Sequence, residues 1–190
     1  MVTEICLVRH GETDWNARAL IQGSTDIPLN DTGRNQARAA AGMLQQERWD
    51  ALYASTMIRA IETAEIIGEV LSLGPVTTDH NLREREYGIA EGMDIAERYR
   101  RFGEGPIPGA EEWDQVRKRG LEALEAIRRA NPGQRVLAVA HGGLINALLG
   151  VISAGEIGSG KTVLKNASTN LIVWDGSWKV RWYNRTAEAA

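Results

Sequence analysis

The sequence predicts an α/β protein, a three-layer α/β/α sandwich in which a mostly parallel sheet lies between two layers of helices. Two observations lead to this fold class. Short apolar runs alternate along the chain with longer segments in which apolar residues recur at helical spacing. The last two apolar runs instead flank Asp175, Gly176 and Ser177, a turn pattern typical of a β-hairpin. Strands that alternate with helices form mainly parallel sheets covered by helices on both faces.

The first part of the chain contains two predicted strand and helix pairs. A buried strand is predicted over residues 5–8, where an apolar run stops at Arg9. Alanines and a leucine at helical spacing predict a helix over residues 33–46. A second short strand over residues 49–54 leads into a helix over residues 58–71, where isoleucines and an alanine form one apolar stripe.

The middle of the chain is predicted to be a loop followed by two helices. Residues 82–92 are polar and contain glycine, which favours a loop. A short helix is predicted over residues 95–102, and the Pro-Ile-Pro-Gly stretch at residues 106–109 breaks it. A long helix over residues 111–130 stops at Asn-Pro-Gly, residues 131–133.

The last third contains three predicted strands and one helix. A buried strand over residues 136–140 ends at His-Gly-Gly, and an apolar helix follows over residues 144–151. Strands over residues 167–174 and 178–183 form the hairpin. We expect the tail from Thr186 onward to fray.

Composition limits the classes of function. The 190 residues fit one domain spanning residues 1–190. A net charge of −3 argues against a general nucleic-acid binder, which usually carries a basic face. The chain lacks both a signal-peptide pattern and an apolar run of membrane-spanning length, so we expect a cytoplasmic protein with no membrane partner. The one cysteine, Cys6, lies within the first apolar run and is expected to be a buried thiol.

Two of the three histidines share one sequence context. His10 and His141 each follow a short apolar strand and precede glycine. Ligands of open α/β sheets bind beyond the carboxyl ends of the strands, so both side chains are expected at one crevice. One histidine at a strand end is more often a hydrogen-bonded core residue, but two in matching positions favour a site. His80 lacks this context and is expected at the surface.

Two arginines belong to the same crevice. Arg9 precedes His10, and Arg59 opens the helix that follows the second strand. A guanidinium group suits phosphate, and a helix N-terminus also attracts it; an ordinary salt bridge is the alternative for Arg9. Two arginines with two histidines indicate an oxyanion site. No metal is expected, because the guanidinium charges would repel a divalent cation.

Taken in order, these residues resemble the histidine phosphatase superfamily, which includes the cofactor-dependent phosphoglycerate mutases. Residues 7–16, LVRHGETDWN, match the opening signature of that family over its whole length. Shorter matches follow in the family's order at Gln22-Gly23, Asp26-Ile27-Pro28-Leu29, Gly33, Ser55, Arg59-Ala60-x-x-Thr63-Ala64, Leu82-x-Glu84-x-x-x-Gly88-x-x-Glu91-Gly92, His141-Gly142-Gly143 and Asn166-Ala167-Ser168. The resemblance spans nearly the whole chain and implies a phosphoglycerate mutase-like fold.

The resemblance also implies roles for single residues. His10 would be the nucleophile, and Glu84 would be the acid that protonates the leaving oxygen. The phosphoryl oxygens would be held by Arg9, Arg59, Asn16 and His141. The set of substrate-binding residues implied by the family further includes Gln22, Gly23, Tyr87 and Gly142. Without the family pattern, Glu84 belongs to an ordinary solvated charge run, and only that pattern selects it over Glu86.

The expected function is a metal-independent phosphatase acting on small phosphorylated metabolites. Attack on phosphorus needs a neutral imidazole, and flanking arginines would lower the pKa of His10 from the ordinary value of ~6.5. The same positive charges would stabilise the equatorial oxygens during transfer. A protein of this fold that only binds phospho-ligands is the non-catalytic alternative. The resemblance to the family also implies a homodimer.

A phosphoglycerate mutase is the alternative enzyme, with the same phosphohistidine and 2,3-bisphosphoglycerate as the primer. The short chain and the Pro-Gly-x-Glu-like stretch at residues 106–111 favour a phosphatase. Glu84-Arg85-x-Tyr87-Gly88 is close to the mutase form of that loop. Arg100 and Arg101 would bind a substrate carboxylate in a mutase, although the solvated side of a short helix explains them more simply.

One motif points to a different class. Residues 155–162 fit G-x-x-x-x-G-K-[ST], the P-loop of nucleotide hydrolases. That motif needs a strand before it and a helix after it, whereas a helix is predicted before it here. We therefore interpret residues 155–162 as a chance glycine-rich loop.

Overall fold

A six-stranded sheet forms the middle layer of the protein, in a computed structural model that describes residues 1–187. The strands are β1 (Thr3–Arg9), β2 (Ala51–Ser55), β3 (Val76–Asp79), β4 (Arg135–Ala140), β5 (Thr169–Trp174) and β6 (Trp178–Arg185). Their order across the sheet is β3-β2-β4-β1-β5-β6. The first four are parallel, and β5 and β6 add an antiparallel hairpin. Residues 188–190, the end of the tail expected to fray, lie outside the described residues.

Helices cover both faces of this sheet. The α-helices of residues 1–187 are α1 (Asp14–Ala17), α2 (Asp31–Leu44), α3 (Ile58–Leu71), α4 (Ile95–Phe102), α5 (Trp113–Ala130) and α6 (Gly142–Ile152). Helices α5 and α6 pack in one core cluster, and α2 and α3 pack in the other. The three-layer α/β/α prediction, with its mostly parallel sheet, is confirmed. Within residues 1–187, no helix combines the length and the apolar character needed to cross a membrane.

Burial on both faces explains the apolar run in β1. Ile5 and Leu7 lie in the cluster with α5 and α6, whereas Cys6 and Val8 lie in the cluster with α2 and α3. Central strands of parallel sheets are buried on both sides, so their sequence is continuously apolar rather than alternating. Cys6 is fully buried, as predicted, and burial raises the pKa of its thiol to about 12.

The register of the parallel strands creates the crevice. Arg9 is paired with Ala140, so His10 and His141 each lie one residue beyond the end of neighbouring strands. The amide of His10 donates to the carbonyl oxygen of Ala140 at 3.0 Å. Strand β2 pairs with the other side of β4 and ends at Ser55, which places that residue at the same edge.

Two of the strands and α-helices given above were absent from the sequence prediction, and both are short. Strand β3 has the polar sequence Val-Thr-Thr-Asp and gains its pairing from β2 at the edge of the sheet. Helix α1 has four residues and depends on a capping box between Thr13 and Asn16. Neither produces an apolar periodicity, which is the signal that the sequence prediction used.

Several predicted boundaries were wrong by one or two residues. Trp49 lies before β2, whose pairing with β4 begins at Ala51. Its ring is buried all the same, and its Nε1 donates to the carbonyl oxygen of Leu44 at 2.9 Å. Helix α6 begins at Gly142 rather than Leu144, since tertiary contacts outweigh the poor helix propensity of glycine. Helix α5 begins at Trp113, which leaves Glu111 outside the helix. Strand β5 begins at Thr169 rather than Ala167.

Candidate active site

His10 has its ring proton fixed by the main chain. Its Nδ1 lies 2.7 Å from the carbonyl oxygen of Gly11, and the residue is buried. A carbonyl oxygen only accepts hydrogen bonds, so Nδ1 carries the proton and Nε2 keeps its lone pair. Burial, then the charges of Arg59 and Arg9, hold the pKa of His10 well below its ordinary value, against a smaller opposing effect of the Gly11 hydrogen bond. The imidazole is therefore neutral near pH 7, with Nε2 in the nucleophilic form.

His141 lies beside it at the N-terminus of α6. The ring centroids of His10 and His141 are 5.1 Å apart. Nε2 of His141 lies 2.8 Å from the hydroxyl oxygen of Ser55, and its Nδ1 is buried without a partner among the described residues. When Ser55 donates to Nε2, the ring proton is on Nδ1, which makes Nδ1 a donor for an anion. Burial and then the charge of Arg59 keep the pKa of His141 well below its ordinary value.

The two arginines are held by main-chain carbonyls. Arg59 is fully buried and donates to the carbonyl oxygens of Gly23 at 2.8 Å and Thr25 at 3.0 Å. Arg9 donates through Nη1 to the carbonyl oxygen of Leu164. Asp26 lies 4.0 Å from Arg59, at the limit of an ion pair. The Nε atoms of both arginines are buried and have no partner within residues 1–187.

These groups form an anion site at the carboxyl edge of the sheet. Arg9, Arg59 and His141 each present a buried nitrogen without a protein partner, and the charges of both arginines act on the His10 ring. Buried N–H groups left without acceptors are costly, which favours a ligand that supplies acceptor oxygens. A phosphoryl group provides both the negative charge and the oxygens.

Asn16 is oriented by three donors. Its Oδ1 accepts from the amide and the hydroxyl of Thr13 and from Nδ2 of Asn166, each at 3.2 Å. Because the oxygen is used in this way, Nδ2 of Asn16 is the end that can donate to a ligand. Asn166 also donates to the carbonyl oxygen of His10 at 3.1 Å, which ties the α1 segment to the residue that follows β1.

Glu84 caps helix α6 from the loop after β3. Its Oε2 accepts from the amide of Gly143 at 2.9 Å, and its Oε1 accepts from the amides of Leu144 and Arg85 at 3.0 Å. A Cβ at position 143 would lie 2.6 Å from Oε1, so glycine is needed there for the carboxylate to approach. The structure therefore brings Glu84 to the helix that His141 caps, although the charge run alone did not select it.

Comparison with known proteins identifies the family of this chain. The model of the histidine phosphatase superfamily, branch 1, matches residues 5–186. The chain belongs to the histidine phosphatase superfamily. The resemblance drawn from residues 7–16 and from the matches that follow them is confirmed.

This histidine phosphatase superfamily member has relatives of two kinds. It is 42% identical to the uncharacterized phosphatase PhoE of Bacillus subtilis, over 96% of this chain and 95% of that protein. It is 38% identical to the metal-independent phosphoserine phosphatase of Arabidopsis thaliana, over 93% of this chain and 79% of that protein. A solved structure named Mycobacterial hydrolase 1 has a TM-score of 0.88 and 26% identity, over 98% of this chain and 100% of that chain. Proteins named as phosphoglycerate mutases are also among its relatives.

Four further residues were predicted to bind substrate. The carbonyl oxygen of Gly23 accepts from Arg59, and the residue has a positive φ of 56°. Gly23 therefore shapes the turn whose carbonyl holds the Arg59 guanidinium group. Gly142 allows close packing of Arg9, since a Cβ there would lie 3.3 Å from Nε of Arg9. Gln22 is buried with its Oε1 unpartnered among residues 1–187. The Tyr87 hydroxyl would lie 3.1 Å from a Cβ at position 143, beside Glu84.

Sequence reasoning missed several supporting side chains in this histidine phosphatase. Ser55 orients His141, and Thr63 accepts from the amide of Gly11 at 3.1 Å. Glu91 accepts from the amides of Ser24 and Thr25 at 2.8 Å each, and so fixes the segment whose carbonyls hold Arg59. All three stood in the family matches without an assigned role. Their roles depend on contacts between distant segments, which no local pattern reveals.

Two other predictions concern residues outside this site. His80 is exposed, as predicted. The P-loop-like residues 155–162 follow helix α6 and lead through turns to β5, and Lys161 donates to the carbonyl oxygen of Gly155. The strand before and the helix after, which a P-loop requires, are both missing at this point of the described chain. Within residues 1–187, no three His, Cys, Asp or Glu side chains are grouped to hold a metal ion.

Proposed function

We propose that this protein is a metal-independent phosphatase that hydrolyses small phosphorylated metabolites through a phosphohistidine on His10. The observation that supports this proposal most directly is a buried neutral imidazole with an unprotonated Nε2, next to buried N–H groups that lack protein acceptors. The nitrogens concerned belong to Arg9, Arg59 and His141. That combination suits attack on an electrophile whose oxygens bind those donors.

In the first step, Nε2 of His10 attacks phosphorus and the bond to the leaving oxygen breaks. Glu84, entering as the carboxylic acid, gives its proton to that oxygen, so the product leaves as an alcohol. Arg9, Arg59, Asn16 and His141 hold the equatorial oxygens, where positive charge stabilises the transition state. The Nδ1 proton stays on the carbonyl side of the ring, against Gly11.

In the second step, water attacks phosphorus and the bond to Nε2 breaks. Glu84, now the carboxylate, takes the proton from that water and returns to its starting form. Inorganic phosphate leaves, and His10 recovers the neutral tautomer. The guanidinium groups supply the positive charge that a metal ion supplies in other phosphatases. The relative named a metal-independent phosphoserine phosphatase supports this part of the proposal.

The family also supports a second candidate, a phosphoglycerate mutase primed by 2,3-bisphosphoglycerate, because some relatives carry that name. Such an enzyme returns the phosphoryl group from His10 to another hydroxyl of the bound substrate. Arg100 and Arg101, the residues that would clamp a substrate carboxylate, are exposed, and Arg101 pairs with Glu97 at 2.5 Å on α4. The solvated position of these arginines favours the phosphatase.

A trapping experiment tests the proposal. Wild-type protein is mixed with p-nitrophenyl phosphate and with a panel of phosphorylated metabolites, each with and without EDTA, and is quenched in base. We expect phosphate release that EDTA does not change, and an acid-labile phosphoryl group on His10. The matched variants are His10→Gln, which should lose both, and His80→Gln, which alters an exposed histidine and should lose neither. A label on another residue, or normal turnover by His10→Gln, refutes the mechanism.

A further inference from the structure

The acid loop, residues 81–87, is held by a buried arginine that lies outside the phosphate site. Arg119 on α5 is 7% exposed. Its Nη1 donates to the carbonyl oxygens of Asn81 at 2.9 Å and Arg83 at 2.7 Å. Its Nη2 donates to the carbonyl oxygen of Glu84 itself at 3.1 Å. Three carbonyls of one loop therefore converge on a single guanidinium group.

The remaining donors of Arg119 bind Glu111. Nε and Nη2 lie 2.7 Å and 2.9 Å from the two carboxylate oxygens of Glu111, a bidentate pair. Burial opposes ionisation of Glu111, but the hydrogen bonds and charge of Arg119 outweigh it and lower the pKa of that carboxyl. A guanidinium has five N–H donors, and all five are accounted for by these contacts. Arg119 thus has no donor left for a substrate.

Glu111 is fastened to the acid loop in its own right. Its amide donates to the carbonyl oxygen of Glu86 at 2.9 Å, and its carbonyl oxygen accepts from Nε of Arg85 at 2.7 Å. The pair formed by Arg119 and Glu111 therefore makes hydrogen bonds to the acid loop both before and after Glu84. Loss of either partner would leave the other charge buried and unpaired, which is costly.

The two ends of Glu84 are held by two helices that pack against each other. Helix α6 holds the carboxylate through the amides of Gly143 and Leu144, and α5 holds the main chain through Arg119. Gly120 lets these helices approach closely, since a Cβ there would lie 2.8 Å from Leu144 Cδ1. The distance between the two attachments of Glu84 is therefore set by packing in the core.

We propose that Arg119 is a positioning residue for the acid Glu84, acting with Glu111. The proposal rests on the phosphatase mechanism above. Its consequence is selective: a displaced acid impairs substrates whose leaving oxygen needs a proton, while attack by His10 and binding of the phosphoryl group are left intact. A residue that served only the stability of the fold would affect all substrates alike.

The test compares Arg119→Lys on an alkyl phosphate, β-glycerophosphate, and on p-nitrophenyl phosphate. Lysine keeps the positive charge at position 119, but its three donors cannot serve Glu111 and three carbonyls together. We expect kcat on the alkyl ester to fall roughly tenfold or more, within the ~10²–10⁴-fold that general acid catalysis contributes, and kcat on the aryl ester to fall less than about threefold. The control is Arg117→Lys, on the same helix, whose side chain is 42% exposed and pairs with Asp114.

A second background and a second variant complete the test. In Glu84→Gln protein, Arg119→Lys should cause no further loss on the alkyl ester, because both changes act through one group. Glu111→Gln should repeat the selective loss. If Arg119→Lys does not fold, the loss of kcat on the alkyl ester relative to the aryl ester in Glu111→Gln is the test. Equal losses on both esters, or additive losses with Glu84→Gln, overturn the proposal while phosphohistidine still forms. Absence of phosphohistidine in the wild type would instead overturn the proposed function on which it rests.

Discussion

The imidazole rings of His10 and His141 lie with their centroids 5.1 Å apart and their planes tilted by 55°, at the ends of adjacent strands β1 and β4. Both rings are buried, and burial together with nearby guanidinium charge lowers both pKa values well below 6.5. Two neutral imidazoles side by side repel neither each other nor the arginines. The arrangement leaves the positive charge of the crevice to Arg9 and Arg59, where it can bind an anion.

The same neutral pair should make stability depend on pH. In the unfolded chain both histidines titrate near 6.5, whereas in the folded protein they titrate well below it, so the unfolded state binds more protons as pH falls. This contribution to the free energy of unfolding is fully present above pH 6.5, and it is lost as the pH falls toward the pKa values of the two histidines in the folded protein. Between pH 6.5 and 5, the free energy of unfolding should fall with a limiting slope of about 1.4 kcal/mol per pH unit for each histidine.

Urea denaturation at a series of pH values measures that slope. His10→Gln should remove about half of it, because one of the two titrating groups is gone. His80→Gln, which changes an exposed histidine, should leave it unchanged. A wild-type slope of zero in this range would mean that the two rings are not held in the neutral form.

Ser55→Ala should lower both the free energy of unfolding and kcat. The change leaves Nε2 of His141 buried without its partner at 2.8 Å, which should cost about 1–3 kcal/mol of stability. Because His141 is proposed to contact the phosphoryl oxygens, kcat should fall by the same factor on alkyl and aryl phosphates. Ser177→Ala, in the exposed hairpin turn, is the control. A loss confined to alkyl esters would place His141 at the leaving group instead.

Glu84→Gln should discriminate between substrates. A poor leaving group needs the proton, so turnover of alkyl phosphates should fall by ~10²–10⁴-fold, whereas p-nitrophenyl phosphate should lose far less. Steady-state kcat on both esters measures the difference. Glu86→Gln is the matched control, because the Glu86 side chain is 46% exposed and pairs with Arg83 at 3.6 Å. Equal losses on both esters for Glu84→Gln, or a loss confined to the alkyl ester for Glu86→Gln, would transfer the acid role away from Glu84.

The centre of the site could be predicted because it depends on local patterns. His10 and His141 follow buried strands, and the rule that ligands meet the carboxyl ends of parallel strands then places them together. Arg59 follows by the same rule from β2 and α3. The short edge strand β3 could not be predicted in this way, since its polar residues gain their structure from pairing with β2.

The supporting residues were beyond local reasoning for a different reason. Arg119 is separated from Glu84 by 35 residues along the chain and contacts its carbonyl only after α5 packs in place. In sequence it belongs to Arg-Lys-Arg, residues 117–119, which is indistinguishable from a solvated helix face. Glu84 has the same ambiguity and was selected only through the family pattern. Burial of a charged residue is a tertiary property, and it separates Arg119 from Arg117 and Lys118 only once the helix is packed.

Lys161→Ala should leave phosphatase activity unchanged. Lys161 lies in a turn after α6 and donates to the carbonyl oxygen of Gly155 within the same loop. A P-loop lysine contacts nucleotide phosphates, so its loss is severe in a true nucleotide hydrolase. Phosphatase assays and ATP titration by calorimetry, in wild type and variant, check this. Micromolar ATP binding that disappears in Lys161→Ala would restore the nucleotide-hydrolase interpretation.

The remaining prediction separates a phosphatase from a mutase, which share His10 and differ in what attacks the phosphohistidine. A mutase must hold the dephosphorylated intermediate and exclude water, and this requires cationic groups for the substrate carboxylate. Arg100 and Arg101 are exposed on α4, and the Arg101 charge is already paired with Glu97. We therefore expect water, rather than a hydroxyl of the substrate, to attack the phosphohistidine.

The assay supplies 3-phosphoglycerate with catalytic 2,3-bisphosphoglycerate and follows free phosphate and 2-phosphoglycerate together. Phosphate release should exceed isomer formation, and Arg100→Gln with Arg101→Gln should not change the ratio. Isomer formation much faster than phosphate release, and lost in that double variant, would make the protein a mutase and leave the His10 chemistry in place.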